Sequence, residues 1–321
     1  MSRSSPRWRA KPPRRRRPQA ASPGLAGSHH AISTWKRARI ASGGQPVIGS
    51  LTAGPERRHY AFGDNELAAS RLALLHEVYA PSSSALLADA VTTTPALAYD
   101  LGCGPGYTTG MVAQVTRASR TVGLDRSASF VAAARRRERA PAGHYLDFVT
   151  HDVLTIPFPA GPADLIYGRL LLAHLPDPAG AVRRWASQLT DDGLVVVDEI
   201  EWIETSHPLL RAHLRLAESM VAASGARMCA GPLLAALGGD PAVATRLTRI
   251  TEVPVPTATA ARLFGMNLAA TGDRPVALGL CSASDLASLR SGLAELTAST
   301  ATGSAAMGQI TWGMRQAAYS R

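Results

Sequence analysis

The sequence predicts an α/β chain, a doubly wound and mostly parallel sheet flanked by helices. Three observations carry that prediction. A short apolar run, Ala96-Leu97-Ala98-Tyr99, leads into Asp100-Leu101-Gly102-Cys103-Gly104-Pro105-Gly106 and then into a helical stretch from Tyr107 to Val115. Strand, glycine turn and helix in that succession make a glycine motif structurally meaningful, because the glycines let a ligand approach the backbone and the helix start offers unpaired amides. Next, the apolar run Thr121 to Leu124 ends on Asp125, 21 residues after Gly104, about the spacing at which such folds meet ribose hydroxyls. Finally, short apolar runs keep alternating with helical stretches to the end of the chain.

Taken in order, regular structure is expected from near Tyr60. Gly63-Asp64 precedes a helical stripe of Leu67, Leu72, Leu75 and Val78-Tyr79 with Asp64 as N-cap, and Ser82 is placed to cap a second helix to Ala90. After Asp125 come a helix from Ala128 to Glu138, a strand from Tyr145 to Thr150 ending at His151-Asp152-Val153, and a strand from Ala163 to Tyr167. Gly168-Arg169-Leu170-Leu171-Leu172-Ala173-His174 follows, then Asp177-Pro178, a cap with proline at the first helical position. A fifth strand is expected from Leu194 to Ile200 and a helix from Pro208 to Ala223. Beyond them lie a loop at 225–232, a short helix to Leu237 and a strand from Arg246 to Val255. Helices at about Ala260 to Ala269 and Asp285 to Leu296 precede a last strand within 308–317.

Composition bounds the rest. The net charge of +10 is not spread evenly: 13 of the 34 basic residues and one acid, Glu56, lie in residues 1–58, which leaves the remainder slightly acidic. That segment is Arg, Pro, Ser, Gly and Ala without hydrophobic periodicity and is expected to be disordered and dispensable for folding. Arg14 to Arg17 is compatible with a nucleic-acid arm, an organellar transit peptide or sequence included by start-codon choice, while the lack of an apolar stretch after it argues against a secretory signal. Three unclustered cysteines, Cys103, Cys229 and Cys281, argue for a reducing compartment and against a zinc site. No apolar run approaches the roughly 18 residues of a membrane helix, and a cytoplasmic protein is expected.

The Asp100-to-Gly106 stretch resembles motif I of the class I methyltransferases that use S-adenosylmethionine (SAM). The acid two residues before the first glycine distinguishes it from pyrophosphate-binding turns, since a carboxylate repels a pyrophosphate but suits an ammonium. Resemblance covers residues 60–321 and is strongest over 97–198, where the segment after strand four is similar to the branch holding quinone C-methyltransferases and trans-aconitate methyltransferases. It implies a Rossmann-like doubly wound sheet of seven strands with an antiparallel last strand. Residues 59–321 then form the methyltransferase domain, with a cofactor core at about 95–200 and helical substrate-covering insertions from 60–92, 205–240 and 258–298. The cofactor implied is SAM, held by Tyr60, Arg71, Asp100, Gly102, Cys103, Gly104, Gly106, Asp125, Arg126, Asp152, Val153 and Arg169. Within that set Asp125 would meet the ribose, Asp152 and Val153 the adenine, and Arg71 the SAM carboxylate. Cys103 is also read as a packing residue.

Methyl transfer from a sulfonium is an in-line displacement that depends chiefly on alignment, with a base where the acceptor is a hydroxyl or amine. His174, just beyond strand four, is the candidate base; packing of its turn against the sheet is the competing role. His76, His207 and His213 have weaker positional claims, and for Glu199, Trp202, Met220, Arg227 and Met228 pocket lining competes with core and surface duty. The absence of an N/D-P-P-Y/F motif after strand four and of a Pro-Cys nucleophile argues against DNA and RNA base methylation. The function expected is methyl transfer to the O, N or C of a small-molecule, natural-product-like acceptor, with no metal and no membrane partner and with a homodimer possible. The alternatives are a methyltransferase acting on RNA or protein and a non-catalytic SAM-binding regulator.

Overall fold

The computed structural model describes residues 65–137, 143–224, 226–299 and 309–321; residues 1–58, Tyr60 and Asp64 lie outside them. Helix α1 (Glu66–Ala90) comes first, capped by Asn65, whose side chain accepts from the Ala68 amide at 3.0 Å. The two helices expected before residue 90 are one, continuing through Pro81. A proline inside a helix costs about 3 kcal/mol. Tyr79, Ser83, Leu86 and Leu87 are buried on both sides of it, and each large apolar side chain so buried contributes about 1.5–3 kcal/mol, so packing outweighs the break.

The chain continues through β1 (Leu97–Leu101), α2 (Tyr107–Thr116), β2 (Arg120–Asp125), α3 (Ala128–Arg137), β3 (Tyr145–Thr150), β4 (Ala163–Arg169) and α4 (Pro178–Ala186). It then forms β5 (Leu189–Thr205), α5 (Pro208–Ala223), the short α6 (Gly231–Leu234), β6 (Ala244–Pro256) and α7 (Thr257–Thr271). The one-turn α8 (Arg274–Ala277), α9 (Ala283–Ala298) and β7 (Gln309–Ser320) complete it. All seven strands join one sheet in the order β3-β2-β1-β4-β5-β7-β6. Strands β1 to β5 pair in parallel, and β7 runs antiparallel to both β5 and β6. Strand order reverses between β1 and β4, which opens a crevice at the carboxyl ends of the parallel strands. Strand β5 outruns its expected end at Ile200 because β7 offers it partners as far as Thr205, beyond the last residue of β4.

One core joins Tyr99, Leu101, Val122, Leu124, Ile166, Trp185 and Val197; a second joins Leu86, Leu87, Val112, Leu165, Tyr167 and Val196 between the sheet, α1 and α2. A third holds the helical cap on the β7 end, through Leu74, Tyr79, Leu210, Phe264, Leu293 and Trp312. One row across the sheet is polar. Arg169, Asp198, Gln316 and Arg249 are successive register partners on β4, β5, β7 and β6. Helix α1 is tied to this row: the Ser83 hydroxyl donates to Asp198 at 2.6 Å, Gln316 donates to Asp198 and to the Ser82 carbonyl, and Arg249 pairs with Asp89 at 2.6 Å. Burial raises the Asp198 pKa, and the Ser83 hydroxyl and the Arg169 charge oppose that rise.

Candidate active site

The site starts where β1 ends. Gly102, Gly104 and Gly106 all have positive φ, at 64°, 53° and 90°, which is the left-handed region that L side chains avoid. At Gly104 an added Cβ would also stand 3.3 Å from Leu72 of α1, and at Gly102 one would stand 2.9 Å from Leu171. Asp100 is 1% exposed and faces inward, where its Oδ2 accepts the hydroxyls of Thr108 and Thr109, both at 2.6 Å. Burial pushes the Asp100 carboxyl up to about 6, opposed by those two hydroxyls and by the Arg169 guanidinium. The carboxylate thus braces the start of α2 from the end of β1, through a buried Thr109 and a half-buried Thr108. Thr108 and Thr109 did not figure among the sequence candidates; their place in the first turn of α2, directly after the glycine turn, is the signal that would have found them.

Asp125 closes the turn from β2. Its Oδ2 accepts the Gly104 amide at 2.8 Å and its Oδ1 the Ser127 amide at 2.8 Å. The His151 amide donates to the Asp125 carbonyl at 2.9 Å, which sets the exit of β3 beside it. There Asp152 is exposed, its Oδ1 accepting the Leu154 amide, while Val153 is buried in the core and its carbonyl accepts from Trp185. Arg126 is exposed at the same edge. Cys103 packs against Val131, Ala134 and Phe148, and its amide is committed to the Leu124 carbonyl, so its side chain is structural. Burial raises its thiol pKa well above the ordinary value.

At the end of β4, Arg169 turns toward α1, reaching the Ser83 hydroxyl at 3.3 Å and His76 Nδ1 at 3.4 Å. His76 in turn stacks on Tyr107, whose other neighbour is the Arg137 guanidinium, 3.3 Å from the ring centroid. Burial, then Arg169 and Arg137, bring the His76 pKa down to about 4. The next residue, Leu170, has φ 53°, a strain of about 1–2 kcal/mol for a side-chain-bearing residue. Three hydrogen bonds to β5 oppose it: the Leu170 amide donates to the Asp198 carbonyl at 3.0 Å, and Glu199 Oε1 accepts the Leu171 and Leu172 amides at 2.7 Å each. At about 0.5–1.5 kcal/mol apiece, they outweigh the strain.

The 3₁₀ turn Leu172–His174 follows, with His174 exposed at the crevice. Its ring is reached by solvent but set deep among protein walls; that desolvation, then the Arg71 and Arg126 charges, bring its pKa down to about 4. Arg71, on α1, is buried and donates to Asn267 of α7. The same Arg71 charge reaches His213 of α5, which is 2% exposed, stacks on Phe264 at 4.0 Å, and is pushed down to about 3 mainly by burial. The Nδ1 of His213 and the Nε1 of Trp312 are buried without hydrogen-bond partners. His207 sits apart, at the N-cap of α5. Thus β1, β2 and β3 gather Asp100, the glycines, Asp125, Arg126 and Asp152 on one side, and α1, α5 and the β4 exit gather Arg71, His174 and His213 on the other. A groove of about 510 Å³ lined by Leu67, Met266, Leu293 and Ala294 shares none of these residues.

Comparison with known proteins bears on the same strands. The family model described as a methyltransferase domain matches residues 99–197. The trans-aconitate 2-methyltransferase of Methylobacterium radiotolerans is 38% identical over 168 residues, covering 52% of this chain and 56% of that protein. The Escherichia coli protein of the same name (strain K12) is 34% identical over 113 residues, covering 35% and 42%. The chain spans about half the length of the curated relatives it matches. The solved YcgJ protein of Bacillus subtilis overlays 74% of this chain and 97% of its own at 15% identity, with a TM-score of 0.47. The match over residues 99–197 spans β1 to β4 and most of the parallel part of β5, the strands that carry the glycine turn, Asp125, Asp152 and the β4 exit.

Proposed function

We propose that the protein transfers a methyl group from SAM to a small-molecule acceptor, and that the acceptor bears a carboxylate. The observation that supports it most is the convergence, at the point where strand order reverses, of the left-handed glycine turn, Asp125 and the exposed Asp152. In this reading the left-handed glycine turn takes the close backbone approach of the cofactor, Asp125 would meet the ribose hydroxyls, and the exposed Asp152 would meet the base, with Val153 behind it in the core. Asp100 is too enclosed for direct contact, so it acts on the ammonium through Thr108 or a relayed water. Bound there, SAM supplies a methyl already activated on sulfur.

The chain's own part is alignment. Burial holds the His174 imidazole neutral, and the Arg71 and Arg126 charges beside it add to that effect and suit an anionic acceptor. The relatives named above carry the name of trans-aconitate, a small polycarboxylate, which is in keeping with such a surface. A carboxylate oxygen is already deprotonated, so His174 then orients the acceptor; with a hydroxyl acceptor it would take the proton instead. Three free thiols among the described residues are in keeping with a reducing, cytoplasmic setting. The test is release of S-adenosylhomocysteine (SAH) from SAM with a panel of small carboxylic acids, trans-aconitate included, beside neutral phenols and amines. Turnover confined to acids supports the reading. Turnover confined to neutral acceptors removes the carboxylate, and failure to bind SAM removes the function.

A further inference from the structure

Glu199 is an unusual residue to find near the centre of a sheet. It lies on β5, is 1% exposed, and has a single oxygen accepting two consecutive backbone amides, Leu171 and Leu172, at 2.7 Å each. Those amides begin the segment that leaves β4 through the left-handed Leu170. Leu171 lies against the glycine turn, its Cδ1 2.9 Å from where a Cβ on Gly102 would stand. The His174 amide donates to the Leu171 carbonyl at 3.0 Å, so the turn carrying His174 is built directly on the residues Glu199 holds.

We propose that Glu199 is a positioning residue for the whole crevice, holding Leu171 over the cofactor turn and His174 at the acceptor side through one carboxyl oxygen. The chemistry explains the residue type. Two convergent amides need an acceptor with two lone pairs on one atom, placed at the end of a side chain long enough to cross from β5. A carbonyl oxygen meets that need as well as a carboxylate does, whereas alanine leaves two buried amides unpaired. The functional half of the inference rests on the methyl-transfer reading; the positioning half does not.

The experiment compares Glu199→Gln and Glu199→Ala with the unaltered chain by three readouts: amide exchange at Leu171 and Leu172, the ring titration of His174, and calorimetric affinity for SAH. In Glu199→Ala we expect faster exchange at both amides, a His174 titration moved up toward its ordinary value, and SAH affinity reduced ~10-fold, the scale of one lost hydrogen bond. Glu199→Gln should stay close to the unaltered chain in all three. A folded Glu199→Ala protein unchanged in exchange and in His174 titration overturns the proposal, as does a Gln variant as impaired as Ala. Should Glu199→Ala not fold, the unaltered chain decides: unprotected Leu171 and Leu172 amides overturn it. If the unaltered chain does not bind SAH at all, the proposed function fails while the first two readouts still judge Glu199.

Discussion

The two halves of the sheet are built by different rules. From β3 to β4 every strand is parallel, short, and ends at a loop whose chemistry is written in adjacent residues: Gly102 to Gly106, Asp125, Asp152. From β5 to β6 the strands are long and antiparallel, and what matters is register: Asp198 meets Gln316, Gln316 meets Arg249, and Glu199 reaches back to the exit of β4. The first half can be altered at single loop positions and should answer in cofactor binding. The second half should answer in stability and in the acceptor side of the crevice.

The largest break expected is Gly104→Val. Valine is β-branched and strained at φ 53°, and its Cβ would meet Leu72 at 3.3 Å, so SAM binding should vanish while the fold, followed by circular dichroism, survives. Next comes the acceptor side. Arg71→Ala separates its two roles: a rise in acceptor KM of roughly 10–100-fold with SAH affinity unchanged in calorimetry places Arg71 at the acceptor, whereas a loss of SAH affinity on that scale places it at the SAM carboxylate. His174→Ala sharpens the same point. With a carboxylate acceptor, kcat should fall about tenfold or less; a fall of ~10²–10⁴ together with loss of the acidic limb of the pH–rate profile would identify a protonated acceptor and a histidine base.

Acid should act on the second half. Burial brings the His213 pKa down to about 3 in the folded chain from its ordinary 6.5, so between those values the unfolded chain binds the extra proton. The stability His213 contributes is complete above pH 6.5 and is lost as pH falls toward 3, at about 1.4 kcal/mol per pH unit. The His213 share of the stability change between pH 7 and pH 4.5, read from melting temperature, should vanish in His213→Phe, which keeps a ring against Phe264, while the shares of His76 and His174, both brought down to about 4, remain. The smallest effect belongs to Asp89, whose pair with Arg249 is largely exposed; Asp89→Asn should change stability by less than about 1 kcal/mol in urea titration.

Much of the first half was legible because its signals are local. The bounds of β3 and the Asp177 cap with Pro178 are short-range features that tertiary contacts did not override. The misreadings have tertiary causes. Pro81 and Ser82 look like a helix break, yet burial on both sides of them carries α1 through. The length of β5 depends on β7, more than a hundred residues later, and the partners of Glu199 are backbone amides, which no residue pattern announces. Cys103, read as packing within the glycine turn, does pack against α3, and Arg169, read as a backbone cofactor contact or a brace for its loop, sends its side chain to α1.

That SAM lies across the carboxyl ends of β1, β2 and β3, as proposed, is tested most directly by titrating the isotope-labelled chain with SAH and following its backbone amide resonances. Binding should be saturable and one-to-one, with the largest shifts at Gly102, Gly104, Ser127 and Leu154 and the amides of β6 unmoved. Absence of binding, or shifts centred on β6 and α9 with the glycine turn silent, would contradict it.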